Sequence, residues 1–263
     1  MAKSSNDEHK RYQERTSSFR EAIDDILKRE KETLSLLQQN SEDAPVKLVG
    51  LAEDMLNLSS NYIILSDVSQ VILGTRDEDP LNDARKSLLR AVTYMEKVVS
   101  NYIDVPFSDY EDKLVGIADM GAAERYRLVR KIGLTIRLLE DAFGENSKWK
   151  WTFVELRGRF ATVAKNILDL KKAVANTDPR SPDYEPTMYH LRLVKKLLSQ
   201  SADQYREKYE ISTKNIDDLK LAIVFLSALR RLALVLGNRD EEELIKKKQS
   251  SWVTRFEADL KKK

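Results

Sequence analysis

Residues 219–236 read LKLAIVFLSALRRLALVL, and this stretch decides the fold class. Fourteen of the eighteen residues are apolar, the exceptions being Lys220, Ser227, Arg230 and Arg231. The apolar positions fall on nearly every side of a helix, which must then be surrounded by other helices or by lipid. The charges interrupt any run long enough to span a bilayer, so protein is the expected surrounding and no membrane insertion is expected. The segment reads as the central strut of a packed, all-α fold.

Outward from the strut, helical periodicity recurs in both directions, with no sustained alternation of period two. A first helix is expected over 7–39, with Phe19, Ile23, Ile26, Leu27, Leu34 and Leu37 on one face. A break at 40–45 separates it from a second, which carries Leu51, Met55, Leu58 and Leu65 and stops at Gly74. Asp79 and Pro80 then read as an N-cap and first helical residue. A short helix over 110–117 is followed by a long one over 122–143 that closes at Gly144. The next is expected to run from Lys148 without interruption through Leu170 and Val174. Three prolines between 176 and 186 predict an extended, semi-rigid connection. A helix over 188–209 leads to the strut. Asn238 with Glu241 resembles a capping box for the last helix, whose apolar residues are Leu244, Trp252, Phe256 and Leu260. The sum is about eight mostly antiparallel helices, in an elongated bundle or a degenerate helical-repeat-like array. By region, 1–104 forms an N-terminal helical hairpin region, 105–121 an irregular connection and 122–263 a C-terminal helical bundle.

Composition narrows the chemistry. The chain has no cysteine and two histidines, and its 45 basic and 43 acidic residues leave a charge of +2. Thiolate metal sites and cysteine nucleophiles are thereby excluded. So balanced a chain has no global field to gather nucleic acid or anionic membrane. The polar start lacks the apolar core of a signal peptide, which makes a cytoplasmic protein the expectation. There is no glycine-rich phosphate loop in either common spacing. Thr187 occupies the place where a Glu-x-x-His iron motif would need its carboxylate before His190. No metal site and no cofactor are expected. His190 reads as a solvated or helix-edge residue, and no catalytic residue is assigned.

Candidate binding residues come from a different pattern. Arginines gather at Arg125, Arg127, Arg130 and Arg137, and Arg130 and Arg137 lie two turns apart on one helical face. Arg230 and Arg231 sit inside the most apolar helix, where an unpaired charge would be costly. Each must find a carboxylate, snorkel outward or face a groove. Trp149 and Trp151 flank Lys150, so they cannot share a face, and Trp149 is a candidate anchor for a partner. The candidate binding set is Arg130, Arg137, Trp149, Arg230 and Arg231.

Two segments carry a resemblance. NYIDVPFSDYEDK over 101–113, and the region 147–260 with SKWKWTFVELRGRFATVAKNILDL, DPRSPDYEPTMYHLRLVKKLL and FLSALRRLALVLG, resemble a family of uncharacterised, helix-rich cytoplasmic proteins of spirochaete bacteria. That resemblance implies a bacterial setting and transfers no functional residue. In outline the chain is also similar to the 14-3-3 phosphopeptide adaptors, without their sequence stretches, which is analogy of fold alone. Taken together, the residues point to a non-enzymatic scaffold or adaptor that binds another protein. The alternative is a module for an anionic ligand, phosphopeptide or nucleic acid, held by an inter-helix arginine cluster.

Overall fold

The computed structural model describes residues 2–39, 43–144 and 147–261, so positions 40–42 of the expected break at 40–45 lie outside the described residues. The described chain is helical with no strand, as its periodicity requires. There are nine α-helices among the described residues rather than about eight. They fall into two compact units, residues 1–98 with 128–150, and 99–127 with 151–263.

The first unit holds α1 (Ala2–Gln39), α2 (Ala44–Leu73), nearly all of α3 (Glu78–Val99) and the greater part of α4 (Ala122–Phe143). Within it α2 buries Leu51, Met55, Leu56, Leu58 and Leu65. Two of its buried serines hold the next turn in place. Ser66 Oγ donates to the carbonyl of Asp77 at 2.7 Å, and Ser69 Oγ to that of Thr75 at 2.8 Å. The Asp77 carboxylate accepts the Asp79 N–H at 3.1 Å, so the cap of α3 is Asp77 and not Asp79. Pro80 is then the third helical residue, still within the first turn where its missing N–H breaks no bond. A buried carboxylate ties α3 to α1: Glu30 accepts from the Tyr94 hydroxyl at 2.6 Å and pairs with Arg90 at 2.5 Å.

The second unit contains the irregular stretch 105–121, the first turns of α4, and α5 (Lys150–Asn166) from its second residue onward. It continues through α6 (Leu170–Ala175), α7 (Tyr184–Lys208), α8 (Ile216–Val235) and α9 (Arg239–Leu260). The strut is α8, packed against both α7 and α9. Phe225, Leu226, Leu229 and Leu232 are buried. Its last two residues, Leu234 and Val235, face outward. Ser227 bonds to Gln249 and Arg230 pairs with Glu242, an order that makes α8 and α9 antiparallel. By contrast α9 runs parallel to α7, because Lys195, Asp203 and Tyr209 meet Glu241, Lys248 and Asp259 in rising order. Asn238 caps the helix as expected by accepting the Glu241 N–H at 3.2 Å, while the Glu241 carboxylate reaches back to the Asn238 side-chain amide at 2.8 Å, not to its backbone N–H. The face that α9 buries carries Ile245 and Trp252, while Leu244 is 68 % exposed.

Two expectations fail here for local reasons. The helix from Lys148 stops at Asn166, whose side-chain amide is drawn to Ser100 and the Tyr102 carbonyl at 2.9–3.1 Å. Asp169 then caps a new helix, α6, by accepting the Lys172 N–H at 3.1 Å. The proline-rich connection is folded rather than extended. Pro179 and Pro182 sit second in consecutive tight turns, closed by Ser181 N–H to the Asp178 carbonyl and Tyr184 N–H to the Ser181 carbonyl. That position suits the fixed φ of proline. As a result α7 begins at Tyr184, four residues before the expected Met188.

Candidate functional site

The five candidate residues divide between the units. Arg130, Arg137 and Trp149 belong to the first, and Arg230 and Arg231 to the second, so neither unit assembles a four-arginine cluster. Arg230 pairs with Glu242 at 2.5 Å, and Arg231 with Asp104 at 2.7 Å. Hydrogen bonding to Asp104 raises the Arg231 pKa further above its usual value. Trp149 is half-buried, with the Arg85 guanidinium 3.9 Å above its ring and Phe143 beside it. Its indole N–H is buried without a hydrogen-bond partner.

Arg130 and Arg137 share the outward face of α4 with two leucines. The inward face of this helix buries Leu128, Val129, Ile132, Ile136 and Leu139. On the other side Leu134 is 59 % and Leu138 44 % exposed. They form the one i,i+4 pair among the exposed large hydrophobic residues described. Scattered exposed leucines are ordinary, but an aligned pair is a small patch. Arg137 is 80 % exposed at its side chain, and its contact with Asp141 is a loose 3.8 Å. The stripe Arg130, Leu134, Arg137, Leu138 thus presents apolar and basic groups along one helical face.

A separate feature lies wholly within the second unit. A pocket of about 110 Å³ is lined by residues that include Arg125, Asp169, Lys172, Asp183, Thr187 and His190. Arg125 is 4 % exposed, and its guanidinium donates to the carbonyls of Met120, Ile167 and Ile117 at 2.8–2.9 Å. It staples the irregular stretch and the end of α5 to the start of α4. Burial lowers its pKa, an effect opposed by nearby Asp169. His190 is 1 % exposed, which corrects its reading as a solvated histidine. Burial pushes its pKa down to about 4, so at neutral pH it is uncharged. Its Nε2 lies 2.9 Å from the Ala164 carbonyl and must donate there, leaving Nδ1 as an acceptor. Neither Asp169, Lys172, Asp183 nor Thr187 stood out in the sequence. The one signal was the DPRSPD run at 178–183, whose turns bring the start of α7 back toward α6.

No group of three or more potential metal ligands occurs among the described residues, and no helix there is long and apolar enough to cross a membrane. Residues 8–260 match the TP0443 family, and the chain belongs to that family. The match agrees with the resemblance to a spirochaete family carried by 101–113 and 147–260. No curated protein and no solved structure matches the chain.

Proposed function

We propose that this chain is a non-enzymatic helical interaction protein, a scaffold or adaptor of the cytoplasm, that docks a partner protein on the outward face of α4. The observation that carries this reading is the aligned exposure of Leu134 and Leu138 beside Arg130 and Arg137. A partner that fits is an amphipathic helix whose apolar stripe is flanked by Asp and Glu. Such a helix would lay its apolar residues on the two leucines and its carboxylates beside the arginines. The alternative, an anionic-ligand module for phosphopeptide or nucleic acid, has weaker support. Arg230 and Arg231 each already meet a carboxylate, and the chain has almost no net charge.

The test is parallel affinity purification from the native cell with wild type and Leu134→Glu. The substitution is on an exposed position and should leave melting unchanged within roughly half a kilocalorie. A protein recovered with wild type and lost with Leu134→Glu supports the reading. Equal recovery with both, or recovery of nucleic acid sensitive to nuclease, rejects it.

A further inference from the structure

The pocket of the second unit carries charges of both signs, and they are arranged so that neither a simple anion nor a simple cation suits it. On the positive side stands Arg125, buried, with three of its five N–H groups occupied by backbone carbonyls and no carboxylate within ion-pair distance among the described residues. Its charge is offset by these carbonyl dipoles and, from beyond ion-pair distance, by Asp169, and a buried cation gains most from a full negative charge in direct contact. Lys172 on α6 adds a second positive group. Its partner Asp169 is a loose 3.7 Å away, and that carboxylate already accepts the Lys172 backbone N–H.

On the negative side stands Asp183, at the N-cap position of α7. Its side chain makes no cap bond, although that is the usual employment of an aspartate there. It is the third residue of the second proline turn, with α7 behind it, and so lies at the pocket. Thr187, one turn further along α7, and the neutral His190, both buried, complete the polar lining. With Nε2–H committed to Ala164, the imidazole brings no charge to the lining.

A lone phosphate or carboxylate entering this space would meet Asp169 and Asp183. A lone amine would meet Arg125 and Lys172. The volume, about 110 Å³, is well below the roughly 300–1,000 Å³ of pockets for drug-sized ligands. We infer that the pocket binds a small zwitterion of the free α-amino acid class, its carboxylate toward Arg125 and Lys172 and its ammonium toward Asp183. This inference is independent of docking on α4, since the two features lie in different units and share no residue.

The experiment is thermal melting of the full chain, checked by calorimetric titration, with each small α-amino acid at about 10 mM. Acetate, phosphate and methylammonium at the same concentration serve as probes for the separate charges. Arg125 is a poor place for a variant because it staples three segments. Asp183→Asn and Lys172→Gln alter exposed groups and should leave the fold intact. At least one amino acid should raise the melting temperature of wild type by about 2–4 °C. That rise should vanish in Asp183→Asn and shrink in Lys172→Gln. No rise with any amino acid overturns the inference. So does an equal rise with acetate or phosphate alone, or a rise that survives Asp183→Asn.

Discussion

Gly158 shows how a single residue sets the spacing of three helices. A Cβ built there would lie 2.8 Å from Cε2 of Tyr205 and 3.1 Å from Cζ of Phe225. The two rings are stacked 5.6 Å apart and both are buried, so neither can swing away freely. Alanine gains about 1 kcal/mol of helix propensity over glycine, but overpacking costs about 1–3 kcal/mol. Gly158→Ala is therefore expected to destabilise by about 1 kcal/mol in urea titration, despite being favourable in an open helix. His190 makes a second prediction. Its pKa is about 4 in the folded chain against 6.5 ordinarily, so between these values the unfolded chain binds the extra proton. Stability then falls as pH drops from 6.5 toward 4, by about 3 kcal/mol for this group. Urea titrations of wild type and His190→Gln across that window should differ in slope, the variant lacking this share of the acid loss. Identical slopes would mean that the imidazole is solvated. Arg231 gives a third. Were its partner fully buried, removing Arg231 would strand a carboxylate at a cost of about 3–5 kcal/mol. In the folded chain Arg231 is 43 % and Asp104 21 % exposed at the side chain, which lets water screen the pair. Arg231→Ala should cost about 1 kcal/mol or less by the same titration.

Among the elements, those with a long and regular apolar pattern are legible in the sequence. The strut was readable because so many apolar residues in eighteen leave no solvent face. Leu226→Ala and Leu229→Ala should accordingly each cost about 2–5 kcal/mol in chemical denaturation. A loss below half a kilocalorie at both sites would mean that α8 is not the core of its unit. The cap of α9 was equally legible, because Asn238 and Glu241 satisfy each other within four residues. What could not be read depends on partners distant in sequence. The end of α5 is decided by Ser100 and Tyr102 reaching Asn166 from some sixty-five residues away. The turns at 178–184 looked extended because prolines exclude helix without specifying which turn replaces it. The same limitation hid the pocket. Arg125 and His190 were visible as residue types, but their burial, and the approach of Asp169 and Asp183, arise only when α4, α6 and α7 converge.

On the scale of the whole molecule, the family match over residues 8–260 covers both units. Pairing of Arg230 with Glu242 and of Arg231 with Asp104 leaves the second unit's arginines engaged and shifts attention to the face of α4. That face combines what a partner helix needs, an aligned apolar pair with positive charge beside it, on a helix fixed from behind by five buried aliphatic residues. The most direct measurement is photo-crosslinking in the native cell, with a photoreactive amino acid replacing Leu134 and, as a control, the strongly exposed Val71 on α2. Docking on α4 predicts one recurrent protein adduct from position 134, absent from position 71 and abolished by adding Arg137→Glu. No adduct at 134, or the same adducts from both positions, would contradict it.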